Sequence, residues 1–151
     1  MARFPTTKSL ETLKQVGLVL DFEGYCVDSN FVIREVAWCN HDGTQCDSYH
    51  YYPSKPYPRH DPNACKTIDY VYHRIHGLPY NPPQRCRSPR HLAKDFLELY
   101  SNLPTDRPYV AYKGGHFEKN FLNRLGIPSF NLELIGCPKF NDMTRLATIA
   151  S

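Results

Sequence analysis

Apolar residues along the chain fall into short runs separated by proline, glycine and polar clusters. Val16 to Phe22 is apolar at nearly every position and is closed by Gly24, the pattern of a strand covered on both faces. Phe31 to Trp38 (Phe-Val-Ile-Arg-Glu-Val-Ala-Trp) reads as a second strand, with turn chemistry behind it in Asn40-His41-Asp42-Gly43. Gln45 to Tyr52 returns as a third strand, so the first three elements predict a meander.

The prolines between 53 and 63 mark a loop. Asn63 is placed to cap a helix in which Ile68, Val71, Tyr72 and Ile75 recur at helical spacing and which Gly77 ends. Ser88-Pro89 is the cap and first turn of a second helix, whose Leu92, Phe96, Leu99, Tyr100 and Leu103 form one stripe before Pro104 stops it. Tyr109 to Lys113 reads as a strand, Phe117 to Leu125 as a helix, Phe130 to Ile135 as a strand and Asp142 to Ala150 as a helix. A meander followed by alternating helix and strand predicts an α/β fold. Its sheet is mixed, an antiparallel three-strand meander and then parallel strands, with helices on the faces. The ribonuclease-H-like architecture uses this order.

Composition narrows the class. With 151 residues the prior is one domain, taken as residues 16–151 behind a polar arm, 1–15. Apolar residues are 41% and charged residues 22%, an ordinary globular balance. No run near the start approaches the ~20 apolar residues of a membrane span. Met1-Ala2-Arg3-Phe4-Pro5 lacks the apolar core of a secretory signal, so the expectation is an intracellular protein with no membrane. The charge of +3, from 18 Lys+Arg against 15 Asp+Glu, is compatible with a polyanionic partner.

Without an export signal, the six cysteines are expected to be thiols or metal ligands before disulfides. Cys39, His41, Cys46 and His50 form a C-x-H-x4-C-x3-H cluster, and His60, Cys65, His73 and Cys86 form a looser one. Either set has the donor chemistry of structural zinc. Neither has the spacing of a standard finger, and a small buried Cys39 beside Trp38 with solvated histidines explains the first set as well.

Asp21-Phe22-Glu23 stands at the end of the first strand. Residues i and i+2 of a strand share a face, so both carboxylates project together while Phe22 turns to the core. Such a pair repels itself unless a cation joins it, and hard oxygen ligands suit magnesium or manganese. A solvated turn beginning at Glu23 is the plainer alternative.

The order of motifs resembles the DEDD family of 3′–5′ exonucleases. The resemblance rests on Asp21-Phe22-Glu23 with Gly24 and Val32 to Ala37, on Arg74-Ile75-His76-Gly77-Leu78 as the segment that ends a helix, and on Tyr109 to Leu122 as the second motif. In that motif Phe117-Glu118 takes the place of F-D and Phe121-Leu122 matches the closing pair, whereas Lys113-Gly114 stands where H-N is usual. The resemblance implies two-metal phosphodiester hydrolysis at single-stranded RNA or DNA ends, with Asp21, Glu23 and Glu118 as ligands of magnesium or manganese. No H-x-x-x-x-D follows residue 118, so the third motif is lost or lies beyond the chain, and His116, two residues before Glu118, and Tyr112, upstream on the strand, are the available substitutes for the general base.

Lys113, Lys119, Arg85 and Arg87 are candidates to grip phosphates, and Tyr49, Tyr51, Tyr52 and Tyr57 to stack on bases. A solvated basic face and tyrosines packed on a sheet edge are the alternatives. The second functional reading is an inactive exonuclease-fold module that binds RNA or a protein.

Overall fold

The central strand, β1 (Val16–Val27), continues five residues beyond the apolar run that predicts it. Asp28 (φ 50°) and Ser29 (φ 66°) turn the chain back into β2 (Asn30–Asn40). Two consecutive positive φ values are what a tight hairpin turn between right-twisted strands requires, and they make this pair antiparallel. At the far end of β2, the Asp42 side chain accepts hydrogen bonds from the Thr44 N–H (3.1 Å) and O–H (2.7 Å), and Gly43 has φ 73°. The chain then returns as β3 (Cys46–His50). The computed structural model describes residues 6–136; the helix expected from Asp142 to Ala150, and Cys137, lie outside them.

The later strands are parallel. In β4 (Tyr109–Tyr112), Val110 lies beside Leu18 and Ala111 beside Val19, and β5 (Ser129–Asn131) pairs with β4 in the same sense. The five strands are ordered β3-β2-β1-β4-β5, an α/β arrangement with a mixed sheet. Parallel neighbours need crossover connections, which the helices supply.

Capping chemistry explains where those helices begin. A short α1 (Thr7–Leu13) occupies part of the expected arm, with Thr6 Oγ1 accepting from the Ser9 N–H at 3.0 Å. For α2 (Pro62–Val71) the cap is Asp61, not Asn63: its carboxylate accepts from the N–H groups of Asn63 and Ala64 at 3.1 and 3.2 Å. Pro62 then fills the first helical position, where its missing N–H costs nothing. Tyr72 to His76 continue as a π-helical turn, closed by Gly77 at φ 69°. A 3-10 turn, Pro89–His91, leads into α3 (Leu92–Ser101), and α4 (His116–Arg124) follows β4. The last expected strand stops early: the Asn131 side chain accepts from the Gly114 and Glu133 N–H groups and starts a 3-10 turn over Leu132–Ile135.

The described residues pack as two units. The first comprises residues 6–20, Cys39–Thr44 and 103–136, and the second Asp21–Trp38 and Gln45–Asn102. In the first, Val16, Ala111 and Phe130 are buried, with Leu13, Val19, Tyr109, Leu132 and Ile135 packed against them. In the second, Tyr25, Val27, Val32, Ile68 and Tyr80 form the core, with Tyr57 and Val71 around it. Burying Ile68 alone contributes about 1.5–3 kcal/mol.

Within the second unit the alternation of β1 slips by one residue. Phe22 and Gly24 are buried, but so are Tyr25 and Val27, so the buried positions change phase at Gly24. A Cβ on Gly24 would lie 2.0 Å from the Val32 carbonyl oxygen, so no other residue fits there without moving the backbone. Facing the interior from β2, Arg34 is fully buried, and among the described residues none of its three guanidinium nitrogens has a hydrogen-bond partner. An unpaired buried cation opposes folding.

Gly24→Ala should lower the unfolding free energy by about 3 kcal/mol by overpacking. Gly43→Ala, at a positive φ with open space around it, should cost only about 1 kcal/mol. Urea denaturation midpoints measure both, and equal losses would refute the account of Gly24. In the same assay Arg34→Met should gain about 1–4 kcal/mol.

Candidate functional site

The end of β1 that carries Asp21 and Glu23 belongs to the second unit. Phe22 between them is buried, and the Asp21 and Glu23 side chains are hydrogen-bonded to each other. The Asp21 carboxyl lies above its ordinary value of 3.8: burial raises it, the Glu23 hydrogen bond lowers it, and the negative charge of Glu35 raises it again. Asp21 reaches solvent, and water screens part of both charge effects. Glu35 on β2 is in turn held by His50 on β3, with Nε2 2.8 Å from Oε2. Strands β1, β2 and β3 thus carry a linked set of three carboxylates and an imidazole. The motif reading reached Asp21 and Glu23 but missed Glu35 and His50 as their neighbours. Separation along the chain hides this link, because strand pairing rather than local pattern brings these residues together.

The second motif lies in the first unit. Gly115 caps α4, His116 and Phe117 begin it with their rings 4.2 Å apart, and Glu118 is the third helical residue. Glu118 is buried (7% exposed), and its Oε2 lies 2.9 Å from where a Gly115 Cβ would stand. At this position a carboxylate faces the positive end of the helix and the cap's backbone, which is a structural reason for the residue in its own right. Glu133 Oε1 likewise lies 3.1 Å from a Cβ on Gly114. The Tyr112 phenol, between them in charge, is raised by burial first and then by Glu118 and Glu133. Glu133 was not singled out from the sequence, since nothing about Leu-Glu-Leu distinguishes it. Lys119 is exposed and Lys113 half-buried.

Of the other basic candidates, Arg85 is exposed. Arg87 is engaged: its guanidinium lies 3.9 Å over the Tyr49 ring and 3.4 Å from Asp95 Oδ2. Tyr49 also packs against Trp38 at 4.6 Å. Tyr51 is 1% exposed and donates its O–H to Asp95 Oδ2 at 2.8 Å, so it is a core residue rather than a base-stacking platform. Burial, then that hydrogen bond, push its phenol up. His76 has a role that its motif did not explain. Its Nδ1 accepts from the Leu78 N–H (3.0 Å), which leaves Nε2–H to donate to the Gly24 carbonyl (3.0 Å).

The cysteines divide. Cys39 and Cys46 are disulfide-bonded, contrary to the expectation of thiols, and in that state neither is a thiolate ligand. Cys65 donates to the Pro58 carbonyl (3.2 Å) and Cys86 to that of Gln84 (3.7 Å). Among the described residues no group of three or more His, Cys, Asp or Glu is placed to hold a metal ion, and no helix is long and apolar enough to cross a membrane. Comparison with protein-family models, with curated proteins and with solved structures returned no match.

The raised Asp21 carboxyl fixes the sign of a pH effect. The folded chain holds this proton more tightly than the unfolded chain, so the stabilisation is complete below pH 3.8 and is lost as pH rises through the folded value. Asp21→Asn abolishes that loss. Relative to the parent, its unfolding midpoint should therefore rise between pH 3 and pH 7, and a difference that stays constant would refute the assignment.

Proposed function

We propose that this chain is a metal-dependent, ribonuclease-H-like 3′–5′ exonuclease domain acting on single-stranded RNA or DNA ends. The hydrogen-bonded pair Asp21–Glu23 carries the reading. Two neighbouring carboxyl groups on one face of a central strand are a donor set that fits a hard divalent cation. The strand order supports it too, with β1 between the meander and the parallel strands.

Asp21 and Glu23 would hold magnesium or manganese, which when bound supplies an activated water and charge stabilisation for the departing 3′ oxygen. Glu35 adds negative charge beside the pair, and His50 keeps its carboxylate turned toward β3. The motif resemblance adds Glu118 as a further carboxylate ligand. His116, exposed on the first turn of α4, is the candidate proton acceptor. Lys113, Lys119 and Arg85 are the candidate phosphate contacts. Arg87 is a weaker one, because Asp95 already holds it.

One observation favours the inactive module instead: Glu118 lies over its own helix cap, a place that stability alone explains. A 5′-labelled single-stranded oligonucleotide incubated with manganese separates the two. Ladder-like shortening that Asp21→Ala reduces by about 100-fold or more, and that Glu118→Gln also reduces, is the result expected of the enzyme. Retention of the probe without shortening, unchanged by Asp21→Ala, would replace it with the binding module.

A further inference from the structure

A second place in the second unit has binding chemistry of a different kind. Tyr57, Ile68, Asp69, Tyr72, Pro79, Tyr80 and Asn81 line a cavity of about 350 Å³. That volume is at the lower end of the range for small-ligand sites, about 300–1,000 Å³. The wall comes from local helix geometry. Ile68 and Tyr72 are four residues apart, and Asp69 and Tyr72 three apart, so they share a side of α2 and the turn that follows it. Ile68 points into the core, while Asp69 and Tyr72 stay exposed at the rim. The helix changes to π geometry at Tyr72, a local widening that recurs at functional sites.

The opposite wall is aromatic. The rings of Tyr57 and Tyr80 meet at 74° with centroids 5.6 Å apart, and Tyr25 supports Tyr80 from beneath at 5.3 Å. Their hydroxyls are committed elsewhere: that of Tyr80 donates to the Lys55 carbonyl (2.7 Å), that of Tyr25 to the Leu78 carbonyl, and that of Tyr57 bonds the Cys65 side chain. The rings are therefore held in place, with their hydroxyls already satisfied. Asp69 is the only charged residue of the lining, and among the described residues it forms no ion pair. A phosphate would meet a negative charge here with no basic residue of the lining to offset it. A cation would meet the ring quadrupoles and a carboxylate together.

We propose that Tyr57, Tyr72, Tyr80 and Asp69 form a binding site for a methylated ammonium group. Its bulk and weak hydration suit an aromatic enclosure better than a compact, strongly hydrated ammonium does. The site lies apart from Asp21 and Glu23 in its residues and chemistry, and it stands or falls independently of nuclease activity.

Calorimetric titration of the full chain tests this with three probes: choline, its neutral isostere 3,3-dimethylbutan-1-ol, and Nε-trimethyl-lysine amide. The cationic probes should bind about 10-fold tighter than the isostere, and Asp69→Asn and Tyr72→Ala should each weaken them by about 10-fold. Both residues are exposed, so the variants should keep the parent's denaturation midpoint, which is measured alongside. Tighter binding of choline points to a free small molecule, and tighter binding of the lysine derivative to a modified protein chain; either supports the site. Equal affinity for the isostere and choline, no binding of any probe, or binding unaltered in both variants would overturn it.

Discussion

The close approach of β1 to β2 at Gly24 is the constraint on which the rest of the second unit depends. The Val32 carbonyl occupies the space a side chain would need, and the Gly24 carbonyl receives the Nε2–H of His76. One glycine therefore fixes two things: the slip in β1's alternation, and the anchoring of the π-helical turn to the sheet. On one side of the slip Asp21 and Glu23 face away from the buried Phe22; on the other Tyr25 and Val27 point into the core with Val32, Ile68 and Tyr80. Without it a strict two-residue period would put Tyr25 on the same face as the carboxylates. The charged end of the strand and its aromatic end are separated by that single residue.

Placing charge this way opposes stability. Asp21 is partly desolvated and lies near the charge of Glu35, and Arg34 is buried with no hydrogen-bond acceptor for its guanidinium among the described residues. Both are arrangements that folding alone would not favour, and strained or unsatisfied groups concentrate where a chain serves something besides its own stability. The apolar clusters compensate. Tyrosine does much of this work: Tyr25, Tyr51, Tyr80 and Tyr112 are all buried, and Tyr25, Tyr51 and Tyr80 donate their hydroxyls to carbonyl or carboxylate oxygens. Tyr25, Tyr51 and Tyr80 each contribute a large apolar ring without leaving a polar atom unsatisfied. This explains an abundance of tyrosine that a nucleic-acid surface alone would not require.

Period and punctuation carried most of the fold. Alternating and apolar runs marked the strands, and helical spacing with proline and glycine stops marked α2, α3 and α4, because each depends on neighbours a few residues apart. What failed was also local, but depended on side-chain competition. Asp61 outcompeted Asn63 as a cap because its carboxylate reaches two N–H groups, and Asn131 ended β5 by bonding Gly114 and Glu133. The polar arm contains α1, whose Leu13 has only one unit's core to reveal its helical face.

For the candidate chemistry the division is sharper. The sequence by itself determined that Asp21 and Glu23 share a face, since i and i+2 of any strand do. Only the tertiary structure decided that they are hydrogen-bonded to each other, that Glu35 and His50 extend the set, that Arg87 is tied to Asp95 and Tyr49, and that three tyrosines and Asp69 surround one cavity. The physical reason is that strand register and helix packing set these distances. A one-residue change of register would alter every cross-strand neighbour while leaving the local sequence pattern as it was.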